Sequence, residues 1–301
     1  MPLSSAPFGR VLTAMVTPFT PDGALDLDGA QVLADHLVAH GNHGLVVSGT
    51  TGESPTTTDA EKADLLRVVV QAVGDRCSVV AGVGTNDTAH SVALARTAHA
   101  AGADGLLVVT PYYSKPPQAG VIAHLHAVAD SGPLPVMLYD IPGRSGVALE
   151  TESIVALAEH PRVVAVKDAK LDLEATSWVL SRTDLAYYCG HDPWTLPLLA
   201  VGAVGVVGTS THLTARQTGE MVEAFLAGDT ARARALHEQL LPAFSGIFRT
   251  QGTILVKAAL REAGLPAGPV RLPLVDATPD EIATLQADLR AAGIETAGAA
   301  A

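Results

Sequence analysis

Short runs of consecutive apolar residues alternate along this chain with longer stretches in which apolar positions recur every three or four residues. The short runs fall at 11–17, 44–49, 78–83, 105–110, 135–140, 163–167, 185–190 and 205–210. They are rich in Val and Leu and alternate little with polar residues, which suits parallel strands covered on both faces. Helical spacing fills the gaps, at 27–40, 59–73, 88–101, 118–130, 151–159, 171–181 and 193–201. Thr58–Asp59 and Asp87–Thr88 supply start signals for two of these helices. Gly41, Gly74 and Gly102 stand just past three helix ends, where a left-handed cap suits glycine.

Eight strand–helix units predict an α/β protein of the TIM (β/α)8 barrel class. A doubly wound open sheet is the alternative, but eight even units favour closure. Beyond residue 210 only helical patterns remain, at 214–227, 229–245, 252–263 and 279–293. The first completes the barrel. The expected organisation is therefore a barrel catalytic domain over 1–227 and a C-terminal helical extension over 228–301, ending in a frayed "AGAAA".

Composition narrows the partners. Hydrophobic residues make up 48% of the chain and aromatics only 4%, so Val, Leu and Ala must do most of the packing. A net charge of -12 disfavours nucleic acid and anionic membranes, both of which need a basic face. A small anionic substrate needs only one local cation and stays open. Cys77 and Cys189 form neither a disulfide framework nor a metal spacing, and read as reduced thiols in the cytoplasm. The N-terminal stretch carries a single basic residue and a short apolar run ended by Pro18, a poor signal peptide. No apolar stretch approaches the roughly 20 residues of a membrane span.

Active sites of such barrels gather at the C-terminal ends of the strands. There, "VVAVKDAK" ends a buried strand with Lys167. Lysine is among the residues least often buried, since removing water from its ammonium is costly. One reading has the Lys167 head reaching water, paired with Asp168. The other is a Schiff-base lysine whose pKa falls on desolvation, leaving a neutral amine to attack a carbonyl. Tyr139 ends the preceding strand, either packed at the barrel mouth or shuttling protons during imine formation. Arg144 follows on a Pro/Gly loop, where its planar fork is either solvated or suited to a carboxylate. Thr50 and Thr51 in "SGTTGES" form either a plain turn or a small anion nest, with Glu53 behind them. Tyr112 and Tyr113 close strand four. Together these groups suggest an amine nucleophile, a proton shuttle and two anion grips, and hence an α-keto acid substrate. The glycines of 202–208 lie where barrels often bind phosphate but lack a nearby cation. His36 and His40 share a helix face without a third ligand, and no metal site is expected.

"TPF", "SGTTGES", "TPYYSKPPQ", "YDIPGRSG", "AVKDA" and "LPLLAVGAVGV" occur in that order between Thr13 and Leu274. On these motifs the chain resembles the dihydrodipicolinate synthase/N-acetylneuraminate lyase family. The resemblance implies an enzyme without cofactor, in which Lys167 forms an imine with pyruvate. It implies that Tyr139 relays protons, linked through Thr50 to Tyr113. Thr50 and Thr51 would hold the pyruvate carboxylate, with Gly190 and Val207 in contact and Arg144 gripping aspartate semialdehyde. The expected reaction is the lyase/synthase step that opens diaminopimelate and lysine biosynthesis. The alternatives are a pyruvate aldolase or lyase acting on a sugar acid or hydroxy-keto acid, or a non-catalytic barrel. A homotetramer built as a dimer of dimers is also implied, with Tyr113 reaching into the neighbouring subunit's site.

Two departures bear on the second substrate: His191 stands where family synthases carry an acid, and 208–212 is smaller and more polar than usual. Relatives that bind lysine do so near the residue matching Tyr112, using a histidine and a glutamate. Lys62 and His90 stand at those two positions here, while Asn86 and Tyr112 remain, and lysine is expected not to inhibit.

Overall fold

Strand β1 (Val11–Ala14) pairs in parallel with both β2 (Gly44–Val47) and β8 (Gly205–Gly208), and this closes the sheet on itself. Between them run β3 (Ser78–Gly82), β4 (Gly105–Val109), β5 (Val136–Asp140), β6 (Val163–Asp168) and β7 (Ala186–Cys189), each bonded to its neighbours in chain order. The computed structural model describes residues 5–295, so the terminal "AGAAA" lies outside the described residues.

All eight expected strands form. Each lacks alternation because both faces are buried. Leu12, Ala14, Val46, Val80, Leu107, Met137, Ala165 and Val207 fill the barrel interior. Their neighbours Val11, Leu45, Val47, Val79, Val108, Leu138, Val166 and Val206 pack outward against the helices. Strand β1 ends three residues earlier than its apolar run suggested, and β2, β3, β4, β7 and β8 one or two, because the last residues of those runs turn into the loops of the mouth; β5 ends where expected and β6 one residue later.

The surrounding helices are α1 (Leu27–Ala39), α2 (Asp59–Val73), α3 (Thr88–Ala100) and α4 (Gln118–Ala129), then α5 (Pro142–Ser145), α6 (Thr151–Ala158), α7 (Leu173–Leu180) and α8 (Thr195–Ala200). Thr58 and Glu61 form a capping box on α2, and Asp87 caps α3 through Ala89 and His90 N–H groups. Gly41 and Gly102 take the expected left-handed conformation, with φ of 102° and 87°. Gly74 does not: its φ is -63°, because its N–H still bonds the Val70 carbonyl and prolongs the helix. A one-turn helix at 142–145 replaces the expected loop, and a 3-10 turn over Asp192–Trp194 precedes α8.

After the barrel come α9 (Thr211–Leu226), α10 (Thr230–Gly246), α11 (Gly252–Glu262) and α12 (Pro279–Ala291). Helix α9 packs on β1 and β8, and α10 packs on α9, α12 and the 192–194 turn. This brings the α10–α11 connection over the C-terminal mouth of the barrel. Among the described residues no helix is long and apolar enough to cross a membrane.

Candidate active site

Pleating decides which of two adjacent residues reaches the barrel interior. Ala165 belongs to the inner layer and Val166 to the outer, so Lys167 points in and Asp168 points out. The Asp168 carboxylate accepts from the Lys170 and Leu171 N–H groups and the Thr176 hydroxyl. It is therefore not the partner of Lys167, which removes the neighbour-pair reading. Lys167 is 5% exposed. Tyr139 is its register partner on β5, and the ammonium lies 4.4 Å from the centroid of that ring.

Burial brings the Lys167 pKa from its ordinary 10.5 down to about 8, opposed chiefly by the negative charge of Asp192. Burial moves Tyr139 the other way, up to about 12, with Arg144 and a hydrogen bond to Thr50 opposing. An amine that can shed its proton near neutral pH thus stands beside a phenol that keeps its own. That combination suits imine formation.

In the turn after β2, the N–H groups of Gly52, Glu53 and Ser54 bond the carbonyls of Gly49 and Thr50. The expected anion nest therefore narrows to Thr50 and Thr51. The Thr51 hydroxyl meets the Thr209 hydroxyl at 3.3 Å. Two adjoining cavities open above Lys167. One, of about 210 Å³, is lined by Thr50, Thr51, Tyr139, Arg144, Lys167 and His191 among others. The larger, of about 360 Å³, shares Thr50, Tyr139 and Arg144 and is bounded by Tyr112 and Tyr113. Arg144 stands exposed on α5, between the two.

Tyr113, Gly190 and Val207 take three different positions. Tyr113 is 89% exposed at a φ of 72°, and within the chain it makes no hydrogen bond to Thr50. Gly190 already donates its N–H to the Asp168 carbonyl at 2.7 Å. A Cβ there would come within 3.1 Å of Lys167 Cγ, so this glycine gives the lysine clearance rather than offering a donor. Val207 belongs to the inner barrel layer and lines neither cavity.

Several groups escaped the sequence reading. Asp192 is buried, and its carboxylate accepts from the Thr209 and Ser210 N–H groups and the Ser210 hydroxyl. It thereby takes up the N–H groups just beyond β8. Phe248 and Gln251 from the α10–α11 connection and Thr253 from the first turn of α11 line the smaller cavity, and Phe248 faces His191 with ring centroids 5.8 Å apart. Lys257 is fully buried in α11. The reasoning that singled out Lys167, a lysine inside an apolar run, applies equally to "ILVKAAL". Among the described residues no group of three or more His, Cys, Asp or Glu could hold a metal ion; His36 and His40 stack on each other at 3.9 Å.

Comparison with known proteins points the same way. A protein of Acidothermus cellulolyticus called 4-hydroxy-tetrahydrodipicolinate synthase is 70% identical over 291 residues, covering 97% of this chain and 94% of its own. The Streptomyces coelicolor protein called 4-hydroxy-tetrahydrodipicolinate synthase 2 is 62% identical, covering 96% and 97%. Among solved structures, the dihydrodipicolinate synthase of Cyanidioschyzon merolae with lysine bound superposes with a TM-score of 0.94 at 42% identity, covering 96% of this chain and 99% of its own. The sequence model of the dihydrodipicolinate synthetase family matches residues 7–292. With the closed barrel, the inward Lys167 and the paired Tyr139 in place, the chain belongs to the dihydrodipicolinate synthetase family.

Proposed function

We propose that this chain condenses pyruvate with aspartate 4-semialdehyde to 4-hydroxy-tetrahydrodipicolinate through an imine on Lys167. The observation that carries the reading is the buried Lys167 ammonium beside the Tyr139 ring. The neutral amine attacks the keto carbon of pyruvate, and Tyr139 passes the proton that lets water leave. Thr50 and Thr51 hold the carboxylate, fixing the keto carbon near Nζ. Loss of a methyl proton gives an enamine, whose carbon attacks the aldehyde. Arg144, at the junction of the two cavities, grips the carboxylate of this second substrate. The aldehyde's own amino group then displaces Lys167 from the imine carbon, closing the ring and restoring the free lysine. No metal or organic cofactor takes part, and Gly190 shapes the pocket wall without donating to the substrate, while Val207 packs in the barrel layer beneath it.

A second subunit completes the site. The Tyr113 side chain projects from the chain at the rim of the cavity that holds Thr50 and Tyr139, and among the described residues its hydroxyl makes no hydrogen bond. A tight dimer would seat it in the partner's relay, and two such dimers give a tetramer. One structural neighbour, at 33% identity and a TM-score of 0.92, is described as a monomeric dihydrodipicolinate synthase variant. The protein is expected to work in the cytoplasm.

Borohydride reduction in the presence of pyruvate tests the reading. One pyruvate-derived adduct per chain should form and map to Lys167 by peptide mass spectrometry. An adduct at another lysine, or none, would overturn it.

A further inference from the structure

Lys257 and Glu53 form an ion pair that water does not reach: Nζ and Oε1 lie 2.6 Å apart, and the two side chains are 0% and 1% exposed. They stand 204 residues apart, one in α11 and the other at the end of the Thr50–Thr51 turn. The ammonium also donates to the Pro269 carbonyl at 2.8 Å and lies 4.1 Å from the centroid of the Phe19 ring. The other carboxylate oxygen, Oε2, accepts the Arg271 N–H at 2.8 Å. Both oxygens of Glu53 are thus held by the C-terminal extension.

Other contacts of that extension reach the same turn and the segments packed beside it. Thr253 lies four residues before Lys257 and so on the same face of α11. Its hydroxyl donates to the Thr51 carbonyl at 3.1 Å. The Arg271 guanidinium donates to the carbonyls of Thr56 and Gly23 and to Glu61, and lies over Phe19 at 4.1 Å. Gly268 presses so close to Phe19 that a Cβ would come within 1.7 Å of its carbonyl oxygen. The turn needs such support, because Ser48 and Glu53 bracket it with φ of 58° and 57°, a left-handed conformation that side chains other than glycine adopt reluctantly.

A buried ion pair is rarely the most stabilising filling for a core; well-packed apolar side chains of similar volume often serve as well or better. Stability alone therefore gives little reason for Lys257. Its position gives one: Lys257 lines neither cavity, yet it holds the carboxylate that ends the turn carrying Thr50 and Thr51.

We propose that Lys257 and Glu53 are positioning residues for pyruvate, holding the turn so that Thr50 and Thr51 face the carboxylate bound above Lys167. This rests on the assignment of Thr50 and Thr51 as the carboxylate grip. The extension is then part of the substrate site, anchored at the Thr51 carbonyl by Thr253 and at the Glu53 side chain by Lys257.

The test compares wild type with Lys257→Met, Glu53→Gln, the double variant Lys257→Met/Glu53→Leu, and Thr253→Val. Each is assayed for the KM of pyruvate, the KM of the aldehyde, kcat, thermal midpoint and borohydride trapping at saturating pyruvate. The single charge variants should raise the pyruvate KM about tenfold or more, with the aldehyde KM within about twofold and trapping at saturation retained. Removing both charges should recover much of the thermal midpoint but not the pyruvate KM, which separates positioning from folding. Thr253→Val, whose fold is scarcely disturbed, should raise the pyruvate KM about threefold. An unchanged pyruvate KM in the folded variants, or a double variant in which KM returns with stability, would overturn the proposal. Loss of trapping at saturating pyruvate in the variants would likewise overturn it, because the pair would then act on the chemistry. If wild type itself forms no adduct, the pyruvate reading fails first and this proposal falls with it.

Discussion

Tyr139 and Lys167 are register partners on adjacent strands, and the lysine ammonium sits 4.4 Å from the centre of the tyrosine ring. Burial beside that ring, opposed chiefly by the charge of Asp192, lowers the lysine pKa to about 8, so that a neutral amine is available near neutral pH.

The rate of pyruvate imine formation should therefore follow the Lys167 proton. Burial lowers this pKa to about 8, so the neutral amine persists to lower pH than in a free lysine. About half the sites are neutral at pH 8 and about a tenth at pH 7, and the rate of borohydride-trapped adduct should fall about tenfold per unit below pH 7. Tyr139, raised to about 12, stays protonated throughout and adds no inflection. Single-turnover trapping from pH 6 to 9 measures this. A flat profile would mean that Lys167 is neutral over the whole range or that another step governs the rate.

Asp192 links the fold to that profile. Its carboxylate holds two N–H groups and a hydroxyl of 209–210 and raises the Lys167 pKa through space. Asp192→Ala leaves these donors without a partner and should cost roughly 3 kcal/mol in denaturant unfolding. Asp192→Asn keeps the shape and removes the charge. It should shift the acid limb of the trapping profile to lower pH, since an opposing charge that held the proton is gone. A shift to higher pH would show the coupling to be misread.

Tyr113 should act in the partner's site. Mixing Lys167→Ala with Tyr113→Phe under conditions that exchange subunits creates dimers with one site that has both residues intact. Random exchange should restore about a quarter of wild-type activity. Native mass spectrometry confirms the exchange; if subunits mix and no activity returns, Tyr113 works within its own chain or not at all.

Lysine should inhibit weakly. The half-buried Lys62 ammonium donates to the Thr57 carbonyl at 2.5 Å and lies 4.0 Å from Asp59, whose carboxylate also takes the His90 ring at 3.0 Å. At the two positions where lysine-binding relatives use a histidine and a glutamate, this chain thus presents a fixed cation and an imidazole already engaged. An incoming ammonium meets repulsion and loses a charge-assisted bond, which together exceed the roughly 4 kcal/mol of a millimolar ligand. Initial rates at subsaturating pyruvate should show half-inhibition only above about 10 mM lysine. Inhibition below about 1 mM would mean that other contacts recognise it.

The barrel was legible in the sequence because its signals are local. Apolar runs of strand length, helical spacing between them and caps such as Thr58–Glu61 each involve residues a few positions apart. Lys167 was legible for the same reason: a lysine closing an apolar strand is costly whatever surrounds it. Even its nearest neighbours needed the fold, however. Only pleating and register decide that Lys167 turns inward to Tyr139 while Asp168 turns outward to Thr176.

Contacts that span the chain carried no local trace. Nothing around Glu53 announces Lys257, and nothing in "CGHDP" announces that Asp192 will bind the N–H groups beyond β8. Strand and helix propensities are set by each residue's own backbone and near neighbours. Which buried charge meets which is set by closure of the sheet and by where α11 lands on it. The buried lysine was thus a property of the sequence, whereas its pKa, its contact with Tyr139 and the support of the Thr50–Thr51 turn came into being when strands and helices distant in the chain were packed together.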